Sequence, residues 1–152
     1  MKGKLLPALR TGLSAAGLLA AGCSLLGSPL SPLAITLGLD SRQLRVGDTL
    51  TCTATVWNKT ARPVTMDFSC WHQVRVVLYE TGVTPVVWCP SICVPACSRL
   101  ELDAFERRDY PFEIPLARQT TGAPLRPGLY RVRASLTKYD GPSAQALLII
   151  TR

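Results

Sequence analysis

"TLTCTATVW", residues 49–57, alternates without a break: Leu50, Cys52, Ala54 and Val56 fall on one side, and Thr49, Thr51, Thr53 and Thr55 on the other. Successive side chains of an extended chain point to opposite faces. The stretch is therefore a half-buried strand, apolar toward a core and hydroxylated toward water. The same period returns in "YRVRASL", residues 130–136, where Tyr130, Val132, Ala134 and Leu136 alternate with Arg131, Arg133 and Ser135. Arg131 and Arg133 read as the solvated face of that strand.

Strands of this kind need others to cover them, and the chain supplies candidates. Residues 33–39, 63–68, 74–79, 85–88, 100–102, 110–114 and 146–151 are rich in β-branched, aromatic and aliphatic side chains. Turn chemistry separates them: Val46-Gly47-Asp48, the Asn58–Pro63 connection, Thr81-Gly82 closing a hairpin, Pro127-Gly128 and Asp140-Gly141-Pro142. Twelve prolines and eleven glycines suit strands joined by many turns. No long window beyond residue 32 carries a helical period. The spacing predicts an all-β fold, an immunoglobulin-like antiparallel β-sandwich of 7–9 strands over residues 33–152.

The chain has 152 residues, 47% hydrophobic and 18% charged, which describes a globular domain with a real core. Its formal charge is +7. Lys2, Lys4 and Arg10 precede Cys23 and no acid does, so residues 23–152 hold 14 basic against 10 acidic side chains. No dense basic run with interleaved aromatics is present, which argues against a nucleic-acid partner.

Residues 1–22 have another character. A basic start (Lys2, Lys4, Arg10) leads into an apolar run from Leu13 to Ala21 and then Gly22-Cys23, the layout of an export signal. The 12 residues between Arg10 and Cys23 are too few to span roughly 30 Å of hydrocarbon as a helix. Ala20-Ala21-Gly22-Cys23 resembles the lipobox of bacterial lipoproteins, with Ala20 where that family usually has Leu. The resemblance implies cleavage before Cys23, lipid on Cys23 and a domain held extracytoplasmically at the cell membrane or outer membrane. Ordinary cleavage at the same place would release a soluble protein. Residues 23–32 read as the lipidated cysteine and a Ser/Pro/Gly tether.

"VWNKTARPVTMDFSCWHQVRVVLYETGVTPVVW", residues 56–88, and "PLRPGLYRVRASL", residues 124–136, resemble the intracellular proteinase inhibitor (BsuPI-like) family. Val56 and Asn58, Pro63-Val64 with Phe68, residues 74–79, Gly82, Val87-Trp88 and the Pro-Gly-x-Tyr strand carry the likeness. It implies an immunoglobulin-like sandwich that binds serine proteases of the subtilisin type. The export signal and the added cysteines depart from the family.

With Cys23 set aside, Cys52, Cys70, Cys89, Cys93 and Cys97 remain, enough for two disulfides and one spare thiol. Cys52 lies on the inward face of its strand and is the candidate spare. A two-residue Thr81-Gly82 turn would put Glu80 opposite Val83, and extending that ladder brings Cys70 to Cys93. Cys70, Cys89, Cys93 and Cys97 are thus disulfide candidates. With His72 they are also a possible soft-metal set, although the spacing lacks a zinc knuckle. A single histidine excludes two-histidine metal motifs, and His72 itself reads as an ordinary loop residue. No nucleophile elbow, phosphate loop or dinucleotide fingerprint occurs, so no catalytic residue and no cofactor is expected. Asn58-Lys59-Thr60 reads as turn chemistry and not as a glycosylation site.

The expected function is protein binding. A rigid loop loses little entropy when it enters a protease cleft. Residues 89–97 fit that need, with Pro90 and Pro95 stiffening the loop and Ile92 and Val94 as the apolar residues offered. Residues 117–126 are a second, less stiff loop. The alternative is a structural or adaptor lipoprotein of the envelope without inhibitory activity.

Overall fold

Ten strands follow one another in a computed structural model of the chain, which describes residues 31–81, 86–88, 95–118, 121–137 and 141–152, of which 86–88, 95 and 96 are described by backbone alone. They are β1 (Leu33–Leu39), β2 (Gln43–Arg45), β3 (Thr49–Asn58), β4 (Val64–Cys70), β5 (Val74–Glu80), β6 (Val86–Trp88), β7 (Pro95–Leu102), β8 (Arg107–Pro115), β9 (Gly128–Leu136) and β10 (Ser143–Thr151). Among the described residues there is no helix, and none long and apolar enough to cross a membrane.

Three sheets result, in the orders β1-β3-β8, β2-β10-β9-β5-β6 and β4-β7. The three-stranded and five-stranded sheets face each other. Their inward rows are Leu33, Ile35 and Leu37 of β1, and Leu50, Cys52, Ala54 and Val56 of β3. Val74, Val76 and Leu78 of β5 face them, with Tyr130, Val132 and Ala134 of β9 and Leu148 and Ile150 of β10. Phe68 of β4 and Leu100 and Leu102 of β7 join the same core, so the two-stranded ribbon closes one side of the sandwich. The chain is an immunoglobulin-like all-β sandwich.

The alternation in residues 49–57 and 130–136 places every side chain on its expected face. The tenth strand is β2, which sequence reading omits. Three residues carry too little periodicity to signal a strand, and β2 is held by a neighbour remote in sequence. It pairs with β10 in parallel, with Ile149 opposite Gln43 and Thr151 opposite Arg45, so the sheet is not wholly antiparallel. The turn into β3 is closed locally. Gly47 takes φ +88°, the Asp48 amide donates to the Arg45 carbonyl at 3.1 Å, and the Arg45 amide donates to Asp48 Oδ2 at 2.8 Å. A Cβ at that φ would be strained.

Two polar side chains fix the loops at the ends of the sandwich. Tyr130 is buried near the start of β9, and its hydroxyl donates to the Arg126 carbonyl at 2.9 Å. This is the tyrosine corner found in immunoglobulin-like sandwiches. Asn58 is fully buried at the end of β3. Its Nδ2 donates to the carbonyls of Arg62 (2.8 Å) and Asp103 (2.8 Å), with a longer reach to Leu102 (3.4 Å). Its Oδ1 accepts from the Thr60 amide (2.9 Å) and hydroxyl (2.8 Å). The residue is thus turn chemistry and more: it joins β3 to the loops on both sides of the β4–β7 ribbon.

The edge of the three-stranded sheet is guarded. Asn58 N donates to Glu106 O and Leu116 N to Asp48 O, which fixes the even-numbered residues of β8 as those bonded to β3. The odd-numbered residues, Pro111 and Pro115 among them, direct their backbone to the outer edge. Proline is tolerated there because no ladder bond is lost, and it withholds the N–H that an added strand would need.

Replacing Asn58 by Ala leaves buried carbonyls without their donor and should lower stability by about 3 kcal/mol, read as a fall in Tm of about 10 °C. Tyr130→Phe removes a single bond and should cost about 1 kcal/mol in the same thermal unfolding assay.

Candidate functional site

The chain leaves one layer for the other between β4 and β5, and the three residues that make the crossing, Trp71, His72 and Gln73, line an open cleft of about 530 Å³. The cleft lies between the ribbon and the free edge of β8, and its wall includes Arg99, Asp109, Tyr110, Pro111 and Phe112. Clefts of this size are ample for a small ligand or a single side chain of a partner.

Gln73 builds the floor. Its Nε2 donates to the Arg99 carbonyl of β7 at 2.8 Å, and its Oε1 accepts the Tyr110 hydroxyl of β8 at 2.7 Å. Its own carbonyl accepts the amide of Thr137, just past β9, at 3.0 Å. One side chain and its backbone thus pin three strands around the cleft. Burial pushes the Tyr110 phenol above its usual pKa, with Arg108 pulling the other way, which keeps it a neutral donor to Gln73. The His72 carbonyl accepts the Thr137 hydroxyl at 2.7 Å, which ties the crossing to the far sheet.

The rim is charged. Arg99 Nε donates to Asp67 Oδ1 at 2.7 Å, and that bond is the first of the causes raising its already high pKa. Both partners are mostly in water, so the pair adds little stability and serves to orient the guanidinium. Asp109 Oδ1 accepts the Thr55 hydroxyl across the β3–β8 ladder at 2.6 Å. Beyond it, Arg107 lies over the Trp57 ring, 4.9 Å from its centre. Trp71 itself packs on nothing that covers it: 67% of its surface is exposed.

The sequence-derived site residues fall in three groups. Cys23, Cys89, Cys93, Pro90, Ile92 and Val94 lie outside the described residues, as does the Gly82 turn. Pro95 belongs to β7 and pairs with Cys70, so the irregular stretch expected over 89–97 ends earlier than its last three residues. In the 117–126 stretch, Ala117 bridges to Pro124 and Gly122 takes φ +66°, with 119 and 120 outside the described residues.

The cysteines differ from expectation in two respects. Leu78 pairs with Trp88 and Tyr79 with Val86, so the β5–β6 connection is longer than a two-residue turn. Cys70 lies on β4, in another sheet, so a bond to Cys93 does not follow from a β5–β6 ladder, and Cys93 lies outside the described residues. Cys97, one of the four expected in bridges, is an exposed free thiol. The cause is the pleat: Cys70 points into the core, and Cys97 sits on the water-facing side of the ribbon. Cys70 itself is held in a disulfide, and Cys52 is a buried free thiol. Among the described residues no three His, Cys, Asp or Glu side chains converge as metal ligands.

Sequence reading passed over Trp71 and Gln73, and considered His72 only as an ordinary loop residue or one member of a possible soft-metal set. The available signal was a tryptophan in a short connection between two strands, where no face is assigned to the core.

No family model matches the chain, and no curated protein does. Solved structures do. A β-glucosidase from Erythrobacter marinus matches with TM-score 0.52 at 13% identity, over 78% of this chain and 15% of its own. A β-glucosidase from Listeria innocua in complex with glucose matches with TM-score 0.50 at 16% identity, over 78% of this chain and 16% of its own. The CARDB domain of PF1109 from Pyrococcus furiosus, in complex with di-metal ions, matches with TM-score 0.45 at 13% identity, covering 78% of this chain and 91% of that domain. The chain spans about a sixth of the length of these glucosidases, and at such identity the likeness concerns the fold alone.

Burial, aided by the charge of Asp40, raises the Cys52 thiol to about 11. An unfolded chain ionises this thiol near 8.5 while the folded one holds its proton, so stability should fall as pH rises from about 8.5 to about 11. Cys52→Ala should remove that part of the pH dependence of urea unfolding. Iodoacetamide at pH 8 should modify Cys97 in the folded protein and reach Cys52 only after unfolding, as read by peptide mass mapping.

Proposed function

We propose that this protein is an exported, lipid-anchored binding module whose partner is a protein, in the first place a serine protease of the subtilisin type. The observation that supports this most is the setting of residues 89–94. They join the end of β6, in the five-stranded sheet, to the start of β7, in the ribbon. The strands on either side of residues 89–94 are both paired, and a loop held stiffly between such feet would lose little freedom on binding. Ile92 and Val94 are the residues it would offer, and a disulfide at Cys70 holds the strand opposite Pro95.

The resemblance of residues 56–88 and 124–136 to the intracellular proteinase inhibitors supports the protease as target, and the apolar run before Cys23 supports the membrane anchor. Lipid chains on Cys23 would keep the domain at the membrane surface, each buried methylene contributing about 0.8 kcal/mol.

Titration of the full chain against a subtilisin-type protease should give stoichiometric inhibition of peptide hydrolysis. Ile92→Asp with Val94→Asp should weaken it more than about a hundredfold. A folded, uncleaved protein without effect on the protease would overturn the inhibitor reading. Labelled fatty acid should be incorporated in vivo and lost in Cys23→Ala; unchanged incorporation in that variant would overturn the anchor.

A further inference from the structure

The geometry points to the Trp71 cleft as a binding site for a pyranose sugar, one ring of a neutral polysaccharide chain. This goes beyond the protease reading and does not depend on it. Tryptophan presents a broad apolar ring with a polar N–H at its edge, the kind of side chain enriched where a protein meets a partner. Trp71 is 67% exposed beside a cleft of about 530 Å³. The face of a pyranose ring is a flat array of C–H groups, which matches an indole. The ring's edge carries hydroxyls, each able to donate and accept.

Groups that meet such an edge line the same cleft. Asp109 gives one oxygen to Thr55, and its second oxygen has no bond among the described residues. Arg99 gives Nε to Asp67, while its terminal nitrogens make only a 3.9 Å contact to Glu101. The His72 ring has no hydrogen bond within the described residues, although its carbonyl is taken by Thr137. The cleft therefore offers an aromatic platform, an anionic acceptor, a cationic donor and an imidazole. The Gln73 bonds to Arg99 and Tyr110 hold its walls before any ligand arrives.

An extended peptide is the competing occupant, and the cleft disfavours it. A peptide would add to the free edge of β8, but Pro111 lies in the cleft wall with its backbone turned to that edge and has no N–H to give. A sugar needs no ladder.

The test is calorimetric titration of the full chain with cellotetraose, chitotetraose and maltotetraose, each to millimolar concentration. At least one should bind, and the bound sugar should shield a tryptophan from acrylamide quenching. Trp71→Ala should weaken binding at least tenfold with an unchanged Tm, since the side chain packs on little. Asp109→Ala should weaken it as well, and Trp57→Phe, outside the cleft, should not. No binding of any of the three sugars, or equal binding by wild type and Trp71→Ala, overturns the proposal.

Discussion

The fold depends on one buried amide. Asn58 ends the longest strand of the sandwich, and from there its side chain satisfies carbonyls of the loop before β4 and of the turn after β7. Its backbone amide meanwhile extends the ladder to β8 through Glu106. A buried amide with every hydrogen-bonding group engaged rigidifies its surroundings, whereas a partly satisfied one is costly. The β4–β7 ribbon has only two strands and would be marginal alone. Asn58 and the shared core of Phe68, Leu100 and Leu102 bind it to the rest.

That attachment creates the cleft. The ribbon approaches β8 without pairing with it, since the outer edge of β8 carries two prolines and no strand joins it among the described residues. The gap between an unpaired edge and a ribbon held at one end is the space into which Gln73 reaches. Its three bonds to Arg99, Tyr110 and Thr137 keep the gap at a constant width. The tryptophan beside it is then presented on a rigid support, a favourable arrangement for recognition because little order remains to be imposed on binding.

Much of the architecture was legible from local pattern. The period of two in residues 49–57 and 130–136 assigns Leu50, Cys52, Ala54, Val56, Tyr130, Val132, Ala134 and Leu136 to the core, and all eight are buried. Where the reading failed, a long-range constraint had no local trace. β2 exists only because β10 lies beside it. The route from Cys70 to Cys93 assumed that β4 and β5 continue one ladder, and the crossing at Trp71–Gln73 breaks that continuity, while Cys93 itself lies outside the described residues. Cys97 was counted among bridge partners because spacing alone cannot tell which side of a pleat a residue takes after a bulge, and the β4–β7 register shifts between Phe68 and Cys70.

The sequence by itself determined the fold class, because alternation is a property of neighbouring residues and sets which face each strand buries. It also determined where the chain turns, since Gly47 and the Asn58–Thr60 contact act over a few residues. Only the tertiary structure decided the site. Trp71 precedes Arg99 by 28 residues and Asp109 by 38, the three come from a crossing, a ribbon and a free sheet edge, and no local energy term brings them together. Their meeting follows from how the layers pack, and packing is a sum over contacts that no single stretch of the chain contains.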